Sequence, residues 1–222
     1  KGLIPKGAPV DLGMLASPMG VLVSLTTQGN QSAPEKNRDL LQKLANGVRS
    51  RLRDWLFAEG RDTMEEVVGR ALTKRGLMLA VAESCTGGLI GHRLTQVAGS
   101  SAYVDRAAVC YSNRAKTEML GVPAELIAQQ GAVSKEVAAA MACGIRARAN
   151  VSVGLSVTGI AGPGGGTETK PVGLVYIGLD GGTGQPITQE FRFHGDRNVI
   201  KQRSSQAALD LLRRWLLGKA SR

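Results

Sequence analysis

Residues 77–94, LMLAVAESCTGGLIGHRL, decide the fold of this chain. The apolar run LMLAVAES is typical of a buried strand, and it leads directly into a glycine pair and an amphipathic run with helical spacing. A strand that passes into a helix through glycines is the basic unit of an α/β domain. The same turn places Ser84, Cys85 and Thr86 in a row. Each of these three side chains could act as a nucleophile.

The sequence that follows this unit continues to alternate between strand and helix patterns. We predict strands at 77–84, 106–112, 151–159, 172–180 and 187–194, and helices at 63–75, 87–98, 113–120, 123–130, 134–148 and 198–217. The last two strands are expected to be antiparallel neighbours across the turn GGTGQP. The fold class predicted for residues 63–222 is therefore a three-layer α/β/α sandwich with a mixed sheet.

Residues 1–62 are predicted to form a separate, small α/β module. The segment 1–19 is rich in Gly and Pro and is expected to be extended or irregular chain, GVLVSLTTQG (20–29) predicts one strand, and residues 34–57 have apolar residues at helical spacing. A new helix then begins at a capping box formed by Thr63 and Glu66, and Gly76 ends it. The boundary between the two domains is therefore expected near residues 60–62.

Composition limits the possible partners. At 222 residues and 43% hydrophobic, the chain can bury a core, and it has neither a membrane span nor a signal peptide, so we expect a cytoplasmic segment of a longer protein that binds no membrane. Three dispersed cysteines and two isolated histidines predict neither a disulfide framework nor a metal site. The net charge of +10 fits an anionic small molecule, and with only 4% aromatic residues for base stacking, nucleic acid is the less favoured partner.

Ser84 lies where the predicted strand becomes a helix, a position at which backbone amides are unpaired. The amides around Thr86, Gly87 and Gly88 could stabilise an oxyanion or a phosphate there. Two alternatives stay open. Ser84 and Thr86 could simply cap the helix, and Cys85 could be the nucleophile, although strand alternation directs it to the core.

A serine nucleophile needs a base. His92 lies about two helical turns beyond the serine, and His194, at a strand end, is a weak candidate. Lys116 is expected in the first turn of a helix, where burial and the positive helix end both lower the pKa of a lysine, so that its neutral amine could serve as base. The alternative is an ordinary solvated lysine. Tyr111, at the end of the preceding strand, could relay a proton or bind substrate.

A second junction between a strand and glycines follows VSVGLSVTG, where Thr158 precedes the loop GIAGPGGG. Glycine-rich chain at the end of a strand exposes amides, and open α/β sheets bind ligands at such ends. The loop lacks the Gly-Lys-Ser/Thr ending of a P-loop. Arg197, at the start of the last helix, could hold a phosphate with two N–H groups or could pair with Asp196. These junctions together favour an anionic, phosphorylated substrate.

The chain resembles the C-terminal domain of CinA, the competence- and damage-inducible protein of the nicotinamide-nucleotide amidase family, from about residue 63 to 217. The resemblance lies in six motifs in the family's order and spacing, namely AESCTGG (82–88), GSSAYVDRAAVCYSNRAK (99–116), LGV (120–122), GAVS (131–134), SVTGIAGPGGGTETKPVG (156–173) and GDR (195–197). Residues 1–62 resemble the KH-like linking module that precedes this domain in full-length members. They lack the GxxG loop that binds nucleic acid in KH domains.

The resemblance implies hydrolysis of the carboxamide of nicotinamide mononucleotide to nicotinic acid mononucleotide and ammonia, without a cofactor. Its catalytic residues would be the Ser84 nucleophile, the Lys116 base and a supporting Tyr111. The resemblance also implies a homodimer. The expected substrate-binding residues are Thr86, Gly87, Gly88, Ser101, Thr158, Gly159, Gly162 and Arg197.

A different class of function stays open, in which the chain senses a nucleotide or takes part in competence and DNA recombination without catalysis. A lysine in the first turn of a helix favours the enzyme, because a binding protein has no need of it.

Overall fold

The structure is a computed structural model that describes residues 4–5, 7–27 and 34–220. The chain divides into two compact units, one up to Glu59 and one from Gly60 onward. None of the helices in the described ranges is long and apolar enough to cross a membrane.

The first unit contains a β-hairpin and a helix. Strand β1 (Val10–Ser17) pairs antiparallel with β2 (Gly20–Thr27), and α1 (Pro34–Leu52) ends in a short 3-10 turn. One expectation was wrong, because the described part of this unit has two strands where one was predicted, and residues 10–17, expected to be extended or irregular chain, form the additional strand. The two-residue connection between Ser17 and Gly20 lets β1 satisfy its backbone groups on β2, which outweighs the Gly and Pro content.

The second unit is a mixed five-stranded sheet covered by helices. Its elements in chain order are α2 (Met64–Arg75), β3 (Leu79–Glu83), α3 (Leu89–Thr95), β4 (Val104–Val109), α4 (Asn113–Leu120), α5 (Ala124–Gln130), α6 (Lys135–Ala149), β5 (Val153–Gly159), β6 (Leu174–Asp180), β7 (Ile187–Arg192) and α7 (Arg197–Leu216). The strand order is β4-β3-β5-β6-β7. This arrangement confirms the predicted α/β fold with a mixed sheet.

Helices cover both faces of the sheet. Helix α6 packs across β3, β5, β6 and β7 and is flanked by α4 and α5. Helices α3 and α7 contact the other face of the sheet, and α2 packs against both of them. Glycines allow the close approach of α6, since a Cβ atom at Gly154 would lie 2.1 Å from the carbonyl oxygen of Ala142. Every residue of β3 is buried, as expected of a strand covered on both faces.

Local signals in the sequence set most helix ends. Thr63 and Glu66 form the predicted capping box of α2, and Gly76 ends that helix in the left-handed conformation. The hydroxyl oxygens of Ser112 and Ser134 accept the amides of Ala115 and Val137 at the starts of α4 and α6. Helix α3 differs, because it begins at Leu89 instead of 87 and has no side-chain cap at Gly88.

The strand directions bring four junctions to one edge of the sheet. Strands β4, β3 and β5 are mutually parallel, whereas β6 is antiparallel to β5 and β7 is antiparallel to β6. The carboxyl ends of β4, β3, β5 and β7 therefore meet at the same edge, where ligands of open α/β sheets bind. This edge carries the segments that follow Glu83, Val109, Gly159 and Arg192.

Candidate active site

Ser84 and Lys116 meet at this edge, although 32 positions separate them in sequence. A hydrogen bond of 3.1 Å joins Nζ of Lys116 to Oγ of Ser84. Nζ also donates to the carbonyl oxygens of Cys110 (3.0 Å) and Tyr111 (3.2 Å). Ser84 is 8% exposed and Lys116 only 1%. The hydroxyl and the amine are therefore buried and in direct hydrogen-bond contact.

Burial lowers the pKa of Lys116, and the nearby Cys110 and Cys85 act more weakly in the opposite direction. The lysine lies in the first turn of α4, as the sequence indicated, and the Ser112 cap sets the start of this helix. A buried lysine with no carboxylate partner is stabilised in its neutral form. This form has two N–H donors and one lone pair, which matches two carbonyl acceptors and one hydroxyl.

Glu83 is a functional residue that the sequence reasoning missed. It is the last residue of β3 and is fully buried. Its Oε2 atom accepts the amides of Gly88 (3.0 Å) and Ile90 (3.1 Å), and its Oε1 atom accepts the amide of Gly91 (2.8 Å). The carboxylate therefore caps α3 from within the protein. An acidic residue directly before a serine and a glycine pair was the available signal.

The turn at residues 84–88, here called the serine turn, is consequently not the open anion site that was expected. The amide of Gly88 is bound by Glu83, and the amide of Gly87 donates to the Ser84 carbonyl over 3.1 Å. Neither Ser84 nor Thr86 caps α3, so that alternative was wrong. Among the described residues, the Thr86 amide and the buried Thr86 hydroxyl have no hydrogen-bond partner.

The cysteines at the site are buried and free. Burial raises the pKa of the Cys85 thiol to about 12, while the charges of Lys116 and Lys201 act in the opposite direction. Since the thiolate is the nucleophilic form, this environment argues against Cys85 as nucleophile and agrees with its expected position in the core. Within the described ranges, no three His, Cys, Asp or Glu side chains are grouped so that they could hold a metal ion.

Arg197 connects two of the junctions. Its Nη1 donates to the Gly162 carbonyl over 2.7 Å, and its Nη2 donates to the Tyr111 hydroxyl over 2.8 Å. Asp196 instead caps α7 by accepting the amide of Val199, so the proposed pairing of Asp196 with Arg197 is not formed. Tyr111 approaches Lys116 only through its carbonyl group, and its ring is 58% exposed.

Thr158 and Gly159 have packing roles in this structure. The Thr158 hydroxyl is buried and donates to the Ala132 carbonyl over 2.8 Å. A Cβ atom at Gly159 would lie 2.7 Å from a methyl group of Val175. Residues 160–172, here called the glycine loop, follow directly and begin at the edge of the sheet where the carboxyl ends of β4, β3, β5 and β7 meet. Gly162, with φ of +78°, belongs to this loop.

Ser101 lies at the wrong end of the sheet for the expected role. It sits in a short 3-10 turn before β4, whereas Ser84 follows the last residue of β3. The two strands are parallel and Glu83 is paired with Val109, so Ser101 and Ser84 lie at opposite ends. Within one chain, Ser101 is therefore not brought to the site. The sequence could not reveal this, because the position depends on strand direction.

Lys201 is a second residue that the sequence reasoning missed. Its ammonium lies 3.5 Å from the position that a Cβ atom on Gly87 would occupy. It is one helical turn after Arg197 on α7. The i, i+4 spacing places both side chains on one face of the helix, and this spacing could have indicated Lys201 from the sequence. The two histidines are both exposed, and neither contacts Ser84 in the described part of the chain.

Comparison with known proteins decides the family. The family described as the CinA C-terminal domain matches residues 61–216. The chain belongs to the CinA family. It is similar to a CinA-like protein of Citrifermentans bemidjiense, with 48% identity over 217 residues that make up 98% of this chain and 51% of that protein. It is also similar to a putative competence-damage inducible protein of Moorella thermoacetica, with 49% identity over 92% of this chain and 49% of that one.

Solved structures of CinA relatives share the fold. The competence/damage inducible protein CihA from Agrobacterium tumefaciens superposes with a TM-score of 0.64 at 42% identity, covering 70% of this chain and 97% of that one. A CinA superfamily protein from Klebsiella pneumoniae gives 0.67 at 34% identity, covering 71% and 99%. The chain spans about half the length of the CinA relatives named above, and most of the length of the solved structures.

Proposed function

We propose that this CinA-family chain hydrolyses the carboxamide of nicotinamide mononucleotide to nicotinic acid mononucleotide and ammonia. The observation that carries the proposal is the 3.1 Å contact between Lys116 Nζ and Ser84 Oγ in a buried environment. The choice of substrate rests on the family resemblance, and the cationic Arg197 beside the site suits a phosphorylated ligand.

In the first step, neutral Lys116 takes the proton of the Ser84 hydroxyl as Oγ attacks the carboxamide carbon. The two carbonyl oxygens that accept from Nζ hold its N–H groups, which directs the lone pair toward the serine. The C–O bond that forms converts the carboxamide oxygen into an oxyanion. The protonated Lys116, which lies 3.1 Å from Ser84 Oγ, is the positive charge of the site that suits this oxyanion.

In the second step, the carbon–nitrogen bond breaks and Lys116 returns the proton to the leaving nitrogen, which departs as ammonia. The nicotinoyl group is then an ester on Ser84. Water, deprotonated by the same lysine, attacks this ester, and the proton passes back to Ser84 Oγ as nicotinic acid mononucleotide leaves. The positive charge that Lys116 gains with the proton lies beside the oxyanion and offsets its negative charge in the buried site.

The test is ammonia release from nicotinamide mononucleotide in the presence of a chelator, with wild type, Ser84→Ala and Lys116→Ala. We expect release by wild type and its loss in both variants. Ser101→Ala is the matched control, because it also removes one serine hydroxyl but lies at the opposite end of the sheet. Near-normal turnover by Ser84→Ala would contradict the mechanism. A folded wild type that binds the nucleotide without releasing ammonia would favour the nucleotide sensor instead.

A further inference from the structure

We propose that Lys201 acts with Arg197 as the site for the phosphate of the substrate and so sets the preference for phosphorylated over phosphate-free nicotinamide ribosides. This inference rests on the proposed function, and it concerns a residue that neither the sequence motifs nor that proposal assigns a role.

The first argument is position. Lys201 and Arg197 are one turn apart on α7, so their side chains project from the same face of the helix, about 6 Å apart along its axis. Arg197 reaches Gly162 and Tyr111, whereas Lys201 reaches the serine turn at Gly87. The two cations therefore lie along the side of the site that joins the serine turn to the glycine loop.

The second argument is the state of the ammonium. Among the described residues, Lys201 forms no hydrogen bond and no ion pair, yet it is only partly exposed. A partly desolvated cation without an anionic partner gains more from an incoming anion than a fully hydrated one. Arg197 also keeps free donors, because only two of the five N–H groups of a guanidinium are used by its two contacts.

Two negative groups of the bound substrate could pair with Lys201, namely the phosphate and the oxyanion that forms at the carboxamide. The oxyanion forms only in the transition state, beside Ser84, where the protonated Lys116 already offsets its charge. The phosphate carries close to two charges in every bound state, which one arginine with two N–H groups already engaged compensates only in part. A second cation one helical turn away supplies the missing charge.

The experiment measures kcat and KM for nicotinamide mononucleotide and for nicotinamide riboside, which lacks the phosphate. We expect Lys201→Met to lower kcat/KM for the mononucleotide about tenfold to a hundredfold more than for the riboside, with the loss mainly in KM. Lys201→Arg keeps the charge and should retain most of the preference. Lys74→Met is the matched control, because it removes one exposed lysine charge from the last turn of α2, at the other end of the sheet.

Equal losses on both substrates would overturn the inference, since Lys201 would then act on the reacting amide, and so would an unchanged preference. If wild type releases no ammonia from either substrate, the proposed function fails while this inference can still be tested. Calorimetric binding of the mononucleotide at constant ionic strength then decides it. Weaker binding by Lys201→Met than by Lys74→Met supports the phosphate site, and equal binding overturns it.

Discussion

The serine turn and the glycine loop both follow a buried strand at the same edge of the sheet, and both are rich in glycine, but they are held in different ways. The serine turn is fixed from inside by Glu83, whose bonded amides lie five to eight positions along the chain. The glycine loop is largely exposed over residues 163–169 and is held by hydrogen bonds to elements distant in sequence.

Two cations hold the glycine loop. Arg197 binds the Gly162 carbonyl across 35 positions, and the Lys170 ammonium donates to the carbonyls of Gln130 (2.5 Å) and Val133 (2.8 Å) across about 40. The difference shows that similar glycine-rich sequences can serve different purposes. A buried carboxylate holds the serine turn beside the Ser84–Lys116 pair, whereas two long cationic side chains hold an exposed loop at the same edge of the sheet.

The largest effect is expected at Lys116, the base proposed for Ser84 of the serine turn. We expect Lys116→Met to lower kcat for ammonia release by about 10³-fold, because it removes the general base while the apolar chain still fills the buried space. Far-ultraviolet circular dichroism should show an intact fold. Lys135→Met, on an exposed lysine, is the control and should change kcat less than twofold. Retained activity would contradict the role of Lys116 as the general base.

Removal of Glu83 should release the serine turn. Glu83→Ala leaves three amides without an acceptor, at about 1–3 kcal/mol each when buried, so we expect the free energy of unfolding to fall by about 3 kcal/mol or more. Glu83→Gln keeps one carbonyl oxygen and should give an intermediate loss. Urea denaturation measures both. Glu118→Ala, whose carboxylate lies on the surface beside Arg114, should stay within about 0.5 kcal/mol of wild type.

The pH dependence should follow Lys116. Burial lowers its pKa below the ordinary 10.5, so between the lowered value and 10.5 the unfolded chain binds a proton that the folded protein does not. Wild-type stability should therefore rise with pH through this window relative to Lys116→Met. The kcat/KM for ammonia release should rise about tenfold per pH unit below the lowered pKa and then level off. A profile without this acid limb would contradict a lysine base.

The smallest effect is expected at the anchor of the glycine loop. Lys170→Met removes two exposed or half-buried hydrogen bonds, so stability should change by about 1 kcal/mol or less. Cleavage after the exposed Glu168 by a glutamate-specific protease should nevertheless become several-fold faster. Lys135→Met again serves as control. Unchanged cleavage would show that the loop is held without Lys170.

Much of the fold followed from patterns within a few residues. The strand at LMLAVAES and the capping box at Thr63 and Glu66 were both confirmed. The prediction failed at 10–17, where a strand depends on its partner across a turn, and at the start of α3, where a buried carboxylate replaces an ordinary cap. These errors share a cause, because in each the deciding hydrogen bonds come from outside the local pattern.

The sequence by itself determined the strand-turn-helix unit, the alternation of elements and the residue types available for chemistry, because backbone propensity and capping act over short distances. Only the tertiary structure decided which of those residues meet. It brought Lys116 to Ser84 and Arg197 to Tyr111, turned Thr158 to the Ala132 carbonyl, and left Ser101 at the opposite end. The physical reason is that strand order and direction determine which strand ends lie at the same edge of the sheet. Burial then determines the charge state of the side chains there, as the lowered pKa of Lys116 shows.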